Sequence, residues 1–271
     1  MTAYRELLPI AVKAVERASS VMRGQPPGAL TPKGDRDVAS ELDYQIERDL
    51  RAFLHNLTPD IGFLGEEEGV SGSGELQWAL HPIDGTANFV RGLPLCGISL
   101  GLIHHKQPVL GVIDLPFLDR LYTAARGEGA YANGRSIEVS KTASLSEAIV
   151  GIGDYAVGAG AAEKNGLRLA LTAQLAHEVL RIRMTGSAAL DLAWLAEGRL
   201  DAAVTLSNHP WDMTAGVAIA AEAGAVILDG DGTSYTRDSS VTLGTTPALA
   251  DQLLAHLVRA HATSKGDGGD G

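Results

Sequence analysis

Two amphipathic helices are predicted at the start of the chain. Between Tyr4 and Met22 the apolar residues recur at helical spacing, and Gly24 ends the run. A second helix is predicted over residues 37–57, with one apolar stripe: Val38, Leu42, Ile46, Leu50, Phe53 and Leu57. On a helical projection Asp43 falls inside this stripe rather than opposite it. A carboxylate in that position needs a polar partner.

Closely spaced strand signals follow the helical pair. Short runs rich in β-branched and other apolar residues lie at 61–64, 77–80, 96–103, 108–113 and 121–125. Strands at this spacing after two helices predict an antiparallel sheet covered by those helices, which is an α+β arrangement.

Strands and helices alternate in the second half. The pattern predicts strands at 149–152, 180–184, 202–205 and 225–228, with helices at 161–176, 188–197 and 212–224. This half is α/β in character. The predicted division is therefore an α+β half over residues 1–146 and an α/β half over 147–263. The glycine-rich, charged tail 264–271 is predicted to be disordered.

Composition excludes several classes of protein. The chain has 271 residues, of which 45% are hydrophobic, so it can bury a substantial core. Its net charge of −11 opposes binding to nucleic acid and to anionic membranes. No signal peptide or membrane-spanning run is recognised. The single cysteine, Cys96, fits a small buried side chain in a reducing cytoplasm.

The most informative stretch is residues 78–89, in which a run typical of a buried strand ends in Asp84-Gly85-Thr86. The aspartate can hold a cation, while the backbone N–H groups of Gly85 and Thr86 can bind an anion if a helix begins there. A plain Asp-Gly turn is the alternative.

Two further acidic motifs accompany this one. Glu66 and Glu67 follow the predicted strand at 61–64, where they form either a ligand group or a solvated loop. Asp212 opens an alanine-rich helix, where it is either a ligand or an N-cap.

Together the three motifs resemble those of the inositol monophosphatase family of magnesium-dependent phosphatases, over residues 37–225. The family patterns are Gly-Glu-Glu, then Asp-Pro-Ile-Asp-Gly-Thr, then Trp-Asp followed two residues on by Ala-Gly. The matching segments here are 65–67, 81–86 and 211–216. One residue departs from the pattern, because His81 stands where the family has its first aspartate.

This resemblance implies a layered αβαβα sandwich of the inositol monophosphatase/fructose-1,6-bisphosphatase type. It also implies two or three Mg²⁺ ions, with Mn²⁺ as an alternative. Glu66, Asp84 and the carbonyl of Ile83 would hold the ion that activates water. Asp84 would bridge to a second ion shared with Asp212 and the His81 position.

Further roles follow from the same resemblance. Asp43 and Thr86 would orient the attacking water, although a buried aspartate can also simply satisfy a neighbouring group. Gly85 and Thr86 would bind the phosphate. Lys33 is interpreted as a solvated surface lysine, with support for the phosphate or a third ion as the alternative that the resemblance implies.

Substrate contacts are implied at Gly186, Ser187 and Ala188, which match a turn that binds substrate hydroxyls in the family. A simple helix cap at Ser187 is the alternative. Inositol phosphatases usually carry a glutamate seven residues before the last metal-binding aspartate, and here that position is Thr205. His209 lies near the expected substrate site and is interpreted as a residue that does not contact the substrate.

The expected function is hydrolysis of a small phosphate monoester, with inositol 1-phosphate as the leading substrate and lithium as an inhibitor. Histidinol phosphate, fructose 1,6-bisphosphate and 3′-phosphoadenosine phosphates are alternatives within the superfamily. A weakened member that binds phosphate ligands without turnover is the alternative outside enzymes, and His81 is its main support. The family also implies a homodimer.

Overall fold

Residues 4–34 and 37–266 are described by a computed structural model. This part of the chain contains seven α-helices: α1 (Leu8–Gly24), α2 (Glu41–Leu57), α3 (Thr86–Val90), α4 (Ala161–Glu178), α5 (Ala188–Ala196), α6 (Pro210–Glu222) and α7 (Ala250–Gly266). No helix in these residues combines the length and the apolar composition of a membrane span.

The strands form a hairpin and two larger sheets. The hairpin pairs β1 (Leu30–Gly34) with β2 (Asp37–Ser40). Eight strands build the larger sheet: β3 (Gly62–Gly65), β4 (Gly69–Ser71), β5 (Leu76–Asp84), β6 (Gly97–His104), β7 (Gln107–Leu115), β8 (Arg120–Ala125), β9 (Ala130–Ala132) and β10 (Arg135–Ile137). Five build the smaller: β11 (Ile149–Ile152), β12 (Arg181–Arg183), β13 (Ala202–Thr205), β14 (Val226–Leu228) and β15 (Thr242–Thr245).

The larger sheet has the order β10-β9-β8-β7-β6-β5-β3-β4. The prediction of an antiparallel sheet is wrong for one pair, since β3 and β5 are parallel. The short β4 reverses the chain on the outer side of β3, so that β5 enters in the same direction as β3. The smaller sheet has the order β12-β11-β13-β15-β14. Its strands β12, β11 and β13 are parallel, and β15 runs antiparallel to both of its neighbours, β13 and β14.

Three apolar clusters define the layers. In the first, α1 and α2 cover one face of the larger sheet. In the second, α5 and α6 fill the space between the two sheets. In the third, α4 and α7 cover the outer face of the smaller sheet. The αβαβα architecture expected from the sequence is therefore present.

The boundary at residues 146 and 147 stays a prediction. It falls between the last strand of the larger sheet and the first strand of the smaller sheet, but the middle apolar cluster contains residues of both sheets. The predicted tail 264–271 lies outside the described residues from 267 onward. Within the described residues α7 ends at Gly266, and the disordered tail stays a prediction.

The second helix begins later than predicted, at Glu41 instead of residue 37. Ser40 has extended backbone angles and caps the helix, because its hydroxyl and backbone N–H both donate to Asp43. Residues 37–40 form β2 instead.

Paired glycines bring α6 against the larger sheet. Gly101 of β6 and Gly111 of β7 lie opposite each other in register. A Cβ atom on Gly101 would lie 2.7 Å from the backbone nitrogen of Ala215, and one on Gly111 would overlap the Ala215 carbonyl oxygen. This close approach fixes the helix whose first turn carries Asp212.

Candidate active site

A pocket of about 300 Å³ opens between the two sheets. Most of the predicted site residues line it: Glu66, His81, Asp84, Gly85, Thr86, Gly186, Ser187, Ala188 and Asp212. The other two, Asp43 and Ile83, are connected to it through the Thr86 hydroxyl, which lies 3.0 Å from the Ile83 carbonyl and 3.4 Å from Asp43 Oδ1. The structure thus brings the predicted residues together.

An irregularity in β5 turns two side chains towards this pocket. In a regular strand, positions 81 and 84 would face opposite sides of the sheet. The pairing of β5 with β6 shifts register between His81 and Asp84, and Pro82 lies in that interval without an N–H to donate. As a result, both side chains line the same cavity.

His81 stands between the carboxylates. Its Nε2 lies 2.8 Å from Glu66 Oε2, while its Nδ1 lies 2.9 Å from Asp212 Oδ1 and 4.0 Å from Asp84 Oδ2. The ring is 9% exposed. The imidazole therefore separates Glu66 from Asp212 and leaves neither carboxylate without a neighbouring nitrogen.

The charges of this cluster depend on one another. Burial acts to raise the pKa of Glu66, but His81 and Lys33 beside it lower that pKa to about 2. Burial acts to lower the pKa of His81, but Glu66 and Asp212 raise it well above its ordinary value. An imidazolium between carboxylates is the charge state that these shifts favour.

Lys33 adds a second positive charge from the β1–β2 hairpin. Its Nζ lies 2.7 Å from both Glu66 Oε1 and Glu67 Oε1. Lys33 is an exposed residue whose ammonium contacts the acidic motif, and its role towards phosphate or a third ion stays a prediction.

Asp84 is held by the N-terminus of α5. Its Oδ2 accepts a 2.6 Å hydrogen bond from the Ala189 backbone N–H. Ser187 caps that helix through a hydrogen bond from the Leu190 N–H, so the capping interpretation of Ser187 is confirmed. Burial raises the pKa of Asp84 to about 6, although His81 acts in the opposite direction.

Glu47 positions the acidic motif, and sequence reasoning missed it. This fully buried carboxylate accepts hydrogen bonds from the backbone N–H groups of Glu67 and Glu68, at 2.8 and 2.9 Å, and pairs with Arg51. It lies one helical turn after Asp43 in α2, so the same buried sector that identified Asp43 could have indicated it.

Asp43 has a double role in the structure. Its Oδ2 completes the cap of α2 with Ser40, which confirms that the buried aspartate satisfies neighbouring groups. Its Oδ1 remains near the Thr86 hydroxyl. Burial raises the pKa of Asp43, against the hydrogen bonds from Ser40.

The predicted alternative for Asp212 is wrong. The N-cap of α6 is His209, and Asp212 is the third residue of the helix, where its carboxylate reaches His81. The His209 ring stacks on Trp211 with centroids 4.8 Å apart.

Three carboxylates beside the pocket can hold a divalent cation, and Glu66 is the member of this group that belongs to the predicted ligand set. Ligand atoms of Asp43, Glu66 and Glu67 lie within 4.8 Å of one another. Among buried atoms of the described residues, Glu66 Oε2, Glu67 Oε2 and His81 Nδ1 lack a hydrogen-bond partner of acceptable geometry, so the short contacts of His81 are electrostatic rather than well-aligned hydrogen bonds. Unpaired carboxylate oxygens are the ligands that hard divalent cations prefer.

Comparison with known proteins identifies the class. The model of the inositol monophosphatase family matches residues 3–262. Inositol monophosphatase 2 of Solanum lycopersicum is 33% identical, over 93% of this chain and 98% of that protein. A fructose-1,6-bisphosphatase/inositol-1-monophosphatase of Aquifex aeolicus is 37% identical, over 72% of this chain and 73% of that protein.

The solved structures agree with the sequence relatives. The inositol monophosphatase from Anabaena (Nostoc) sp. PCC 7120 superposes with a TM-score of 0.84 at 31% identity, covering 95% of this chain and 97% of that one. The chain belongs to the inositol monophosphatase family. It is accordingly a phosphomonoesterase with the layered fold of that family.

Proposed function

We propose that this enzyme hydrolyses small phosphate monoesters with Mg²⁺ as its cofactor, and that inositol 1-phosphate is its leading substrate. The observation that carries the proposal is the convergence of Glu66, Asp84 and Asp212 on one pocket, with Thr86 and the buried Asp43 beside them. Mn²⁺ is the alternative ion.

In this proposal Glu66, Asp84 and the Ile83 carbonyl would hold one ion, and Asp84, Asp212 and His81 would hold a second. Bound divalent ions neutralise phosphoryl charge, lower the pKa of water and stabilise the leaving oxygen. Glu47 supports this arrangement by fixing the backbone next to Glu66.

The remaining residues act on water and phosphate. The Thr86 hydroxyl donates to Asp43 and accepts a hydrogen bond from the attacking water, so that Asp43 orients this water through Thr86. The backbone N–H groups of Gly85 and Thr86 bind phosphoryl oxygens. Gly186, Ser187 and Ala188 contact the alcohol portion of the ester. We further propose a homodimer acting in the cytoplasm, by family resemblance.

One observation favours a second candidate function, which is binding of phosphate esters without efficient turnover. His81 and Lys33 already neutralise Glu66 and Asp212, and a cation must compete with both. Histidinol phosphate, fructose 1,6-bisphosphate and 3′-phosphoadenosine phosphates remain alternative substrates of the same site.

Phosphate release from a panel of these esters, with 4-nitrophenyl phosphate as a generic substrate, tests the proposal. We expect Mg²⁺- or Mn²⁺-dependent turnover, strongest on inositol 1-phosphate and inhibited by lithium. Tight binding of the esters with no release in either metal would favour the second candidate. Turnover that survives a chelator would contradict the metal-dependent proposal.

A further inference from the structure

Arg168 of α4 is a buried cation in the wall of the active-site pocket. The residue is 4% exposed. Its Nε donates to the Asp154 carbonyl at 3.1 Å, one terminal nitrogen donates to the Lys164 carbonyl at 3.0 Å, and the other donates to Ser207 Oγ at 3.1 Å. None of these partners carries a charge.

No counter-ion for Arg168 is found in residues 4–34 and 37–266. No carboxylate of that part of the chain lies within 4.0 Å of the guanidinium. The nearby Asp154 carboxylate instead lies beside Gly186, where its Oδ2 would be 3.4 Å from a Cβ atom. Burying a charge without a partner costs several kcal/mol, so an uncompensated guanidinium beside a pocket requires explanation.

The guanidinium retains donor capacity. An arginine has five N–H donors in a planar fork, and the three hydrogen bonds use three of them. The Ser207 hydroxyl accepts from Arg168 and keeps its own proton to donate. Thr205, in the same wall, presents a neutral side chain where inositol phosphatases usually carry a glutamate. Asp154 and Asp191 line the same pocket, and burial raises the pKa of Asp191 to about 8, so the Asp191 carboxyl stays protonated at neutral pH.

We propose that Arg168 and Ser207 form a subsite for a second anionic group of the substrate, either a phosphate or a carboxylate. This inference rests on the proposed phosphatase function and adds to it tighter binding of those esters that carry a second anionic group, without excluding inositol 1-phosphate. The metal-ligand carboxylates and Arg168 line one pocket of about 300 Å³. One small molecule can therefore present one anion to the metal site and the other to Arg168.

Matched pairs of esters test the subsite. Glycerol 3-phosphate and 3-phosphoglycerate differ mainly by a carboxylate, and fructose 1-phosphate and fructose 1,6-bisphosphate differ by a phosphate. A charge-assisted contact contributes about 1.5–3 kcal/mol, so we expect KM to be about 10- to 100-fold lower for the member of the preferred pair that carries two anionic groups. The pair that shows the difference identifies the anion as carboxylate or phosphate.

Variants separate binding from folding. Arg168→Gln should remove the preference by raising KM for the ester with two anionic groups more than it raises KM for its partner with one. Arg168→Lys should restore part of it, and Ser207→Ala should weaken it. Arg181→Gln is the matched control, since Arg181 is exposed and its guanidinium donates to the carbonyl of Leu180. Thermal unfolding of each variant checks that it folds.

The outcomes distinguish the two proposals. Turnover of both members of each pair with equal KM would overturn the subsite and leave the phosphatase proposal intact. If no ester is hydrolysed, calorimetric titration with the same pairs decides: tighter binding to wild type of the ester with two anionic groups, lost in Arg168→Gln, supports the subsite. Equal binding overturns it.

Discussion

His81 sets the charge of the metal site. A carboxylate at this position would add a negative charge between Glu66 and Asp212, whereas the imidazole places a nitrogen against each of them. Lys33 reinforces this effect from the other side of Glu66. A divalent cation therefore competes with two positively charged side chains for these carboxylates, and it binds more weakly than it would at an all-carboxylate site.

Replacing His81 by aspartate should strengthen Mg²⁺ binding. Imidazole suits Mn²⁺ better than Mg²⁺, so wild type should prefer Mn²⁺. Protonation of the His81 imidazole removes the lone pair that would bind a metal ion. Because the pKa of His81 is raised, metal affinity should fall as the pH drops through that raised pKa. His81→Asp should lower the Mg²⁺ concentration for half-maximal activity and flatten this acid limb.

Activation curves with Mg²⁺ and Mn²⁺ at several pH values measure both effects. His55→Asp is the control, because His55 is an exposed residue of α2. Unchanged metal dependence together with altered substrate preference would show that His81 contacts substrate instead of metal.

Asp191 should make stability fall as pH rises. Burial raises its pKa from 3.8 to about 8, against a hydrogen bond from Thr185. Between these values the folded chain keeps a proton that the unfolded chain has lost, so this contribution is complete below about pH 4 and is lost as pH rises through about 8. Asp191→Asn should flatten the dependence and stabilise the chain in alkali.

Urea unfolding with a chelator present, at about pH 5, 7 and 9, measures this effect. Asp49→Asn is the control, since Asp49 lies exposed on α2. A wild-type midpoint that does not fall between neutral and alkaline pH, or that falls equally in wild type and Asp191→Asn, would contradict the assignment.

At the scale of elements, α2 acts as a platform for the acidic motif. Asp43 and Glu47 lie one turn apart, and together they reach Thr86 and the backbone after β3. Gly65 permits the approach, because a Cβ atom there would overlap the Glu47 carboxylate. The site consequently depends on the distance between α2 and the larger sheet.

Gly65→Ala should separate α2 from this motif. Overpacking of a buried contact destabilises by about 1–3 kcal/mol, and displacement of Glu66 should raise the metal concentration needed for activity. Gly24→Ala is the matched control, because a Cβ atom there meets nothing within 4 Å. Thermal unfolding and metal activation curves measure the two effects, and equal behaviour of both variants would contradict the platform role.

Elements with strong periodic patterns could be predicted from the sequence. Strands Ile149–Ile152 and Ala202–Thr205 match the prediction at both ends. The start of α2 was missed because Ser40 and Asp43 form a cap that begins the helix at Glu41. The apolar Val38, which suggested an earlier start, lies before this cap. The helix α7 and the short strands β9, β10 and β15 were not predicted, since their stability comes from packing rather than local pattern.

The site was predictable only where its residues form local motifs. Asp84, Gly85 and Thr86 are adjacent, and a sequence shows them together. Glu47 and Arg168 contact groups 20 and 39 residues away, so the fold has to bring the partners together before their role is visible.

At the scale of the whole molecule, the site joins three layers. Asp43 comes from the outer helical layer and Asp84 from the larger sheet, while Ala189 and Asp212 come from the helices between the sheets. A cation that binds these groups together links layers that otherwise meet mainly through apolar packing. Its binding energy therefore adds to the stability of the assembled fold.

Asp84→Asn should abolish hydrolysis and remove stabilisation by divalent ions. The amide keeps an oxygen to accept from the Ala189 N–H, so the fold should persist, but the charge that binds cations is lost. Wild type should gain about 2.7 kcal/mol at a metal concentration of 100 Kd, since only the folded state binds. Thermal unfolding with and without Mg²⁺ measures this gain, and Asp60→Asn, at an exposed residue, should retain it. Turnover by Asp84→Asn at the wild-type rate would refute the assignment. In the part of the chain that the structure describes, no other carboxylate of the pocket both contacts α5 and lies near His81.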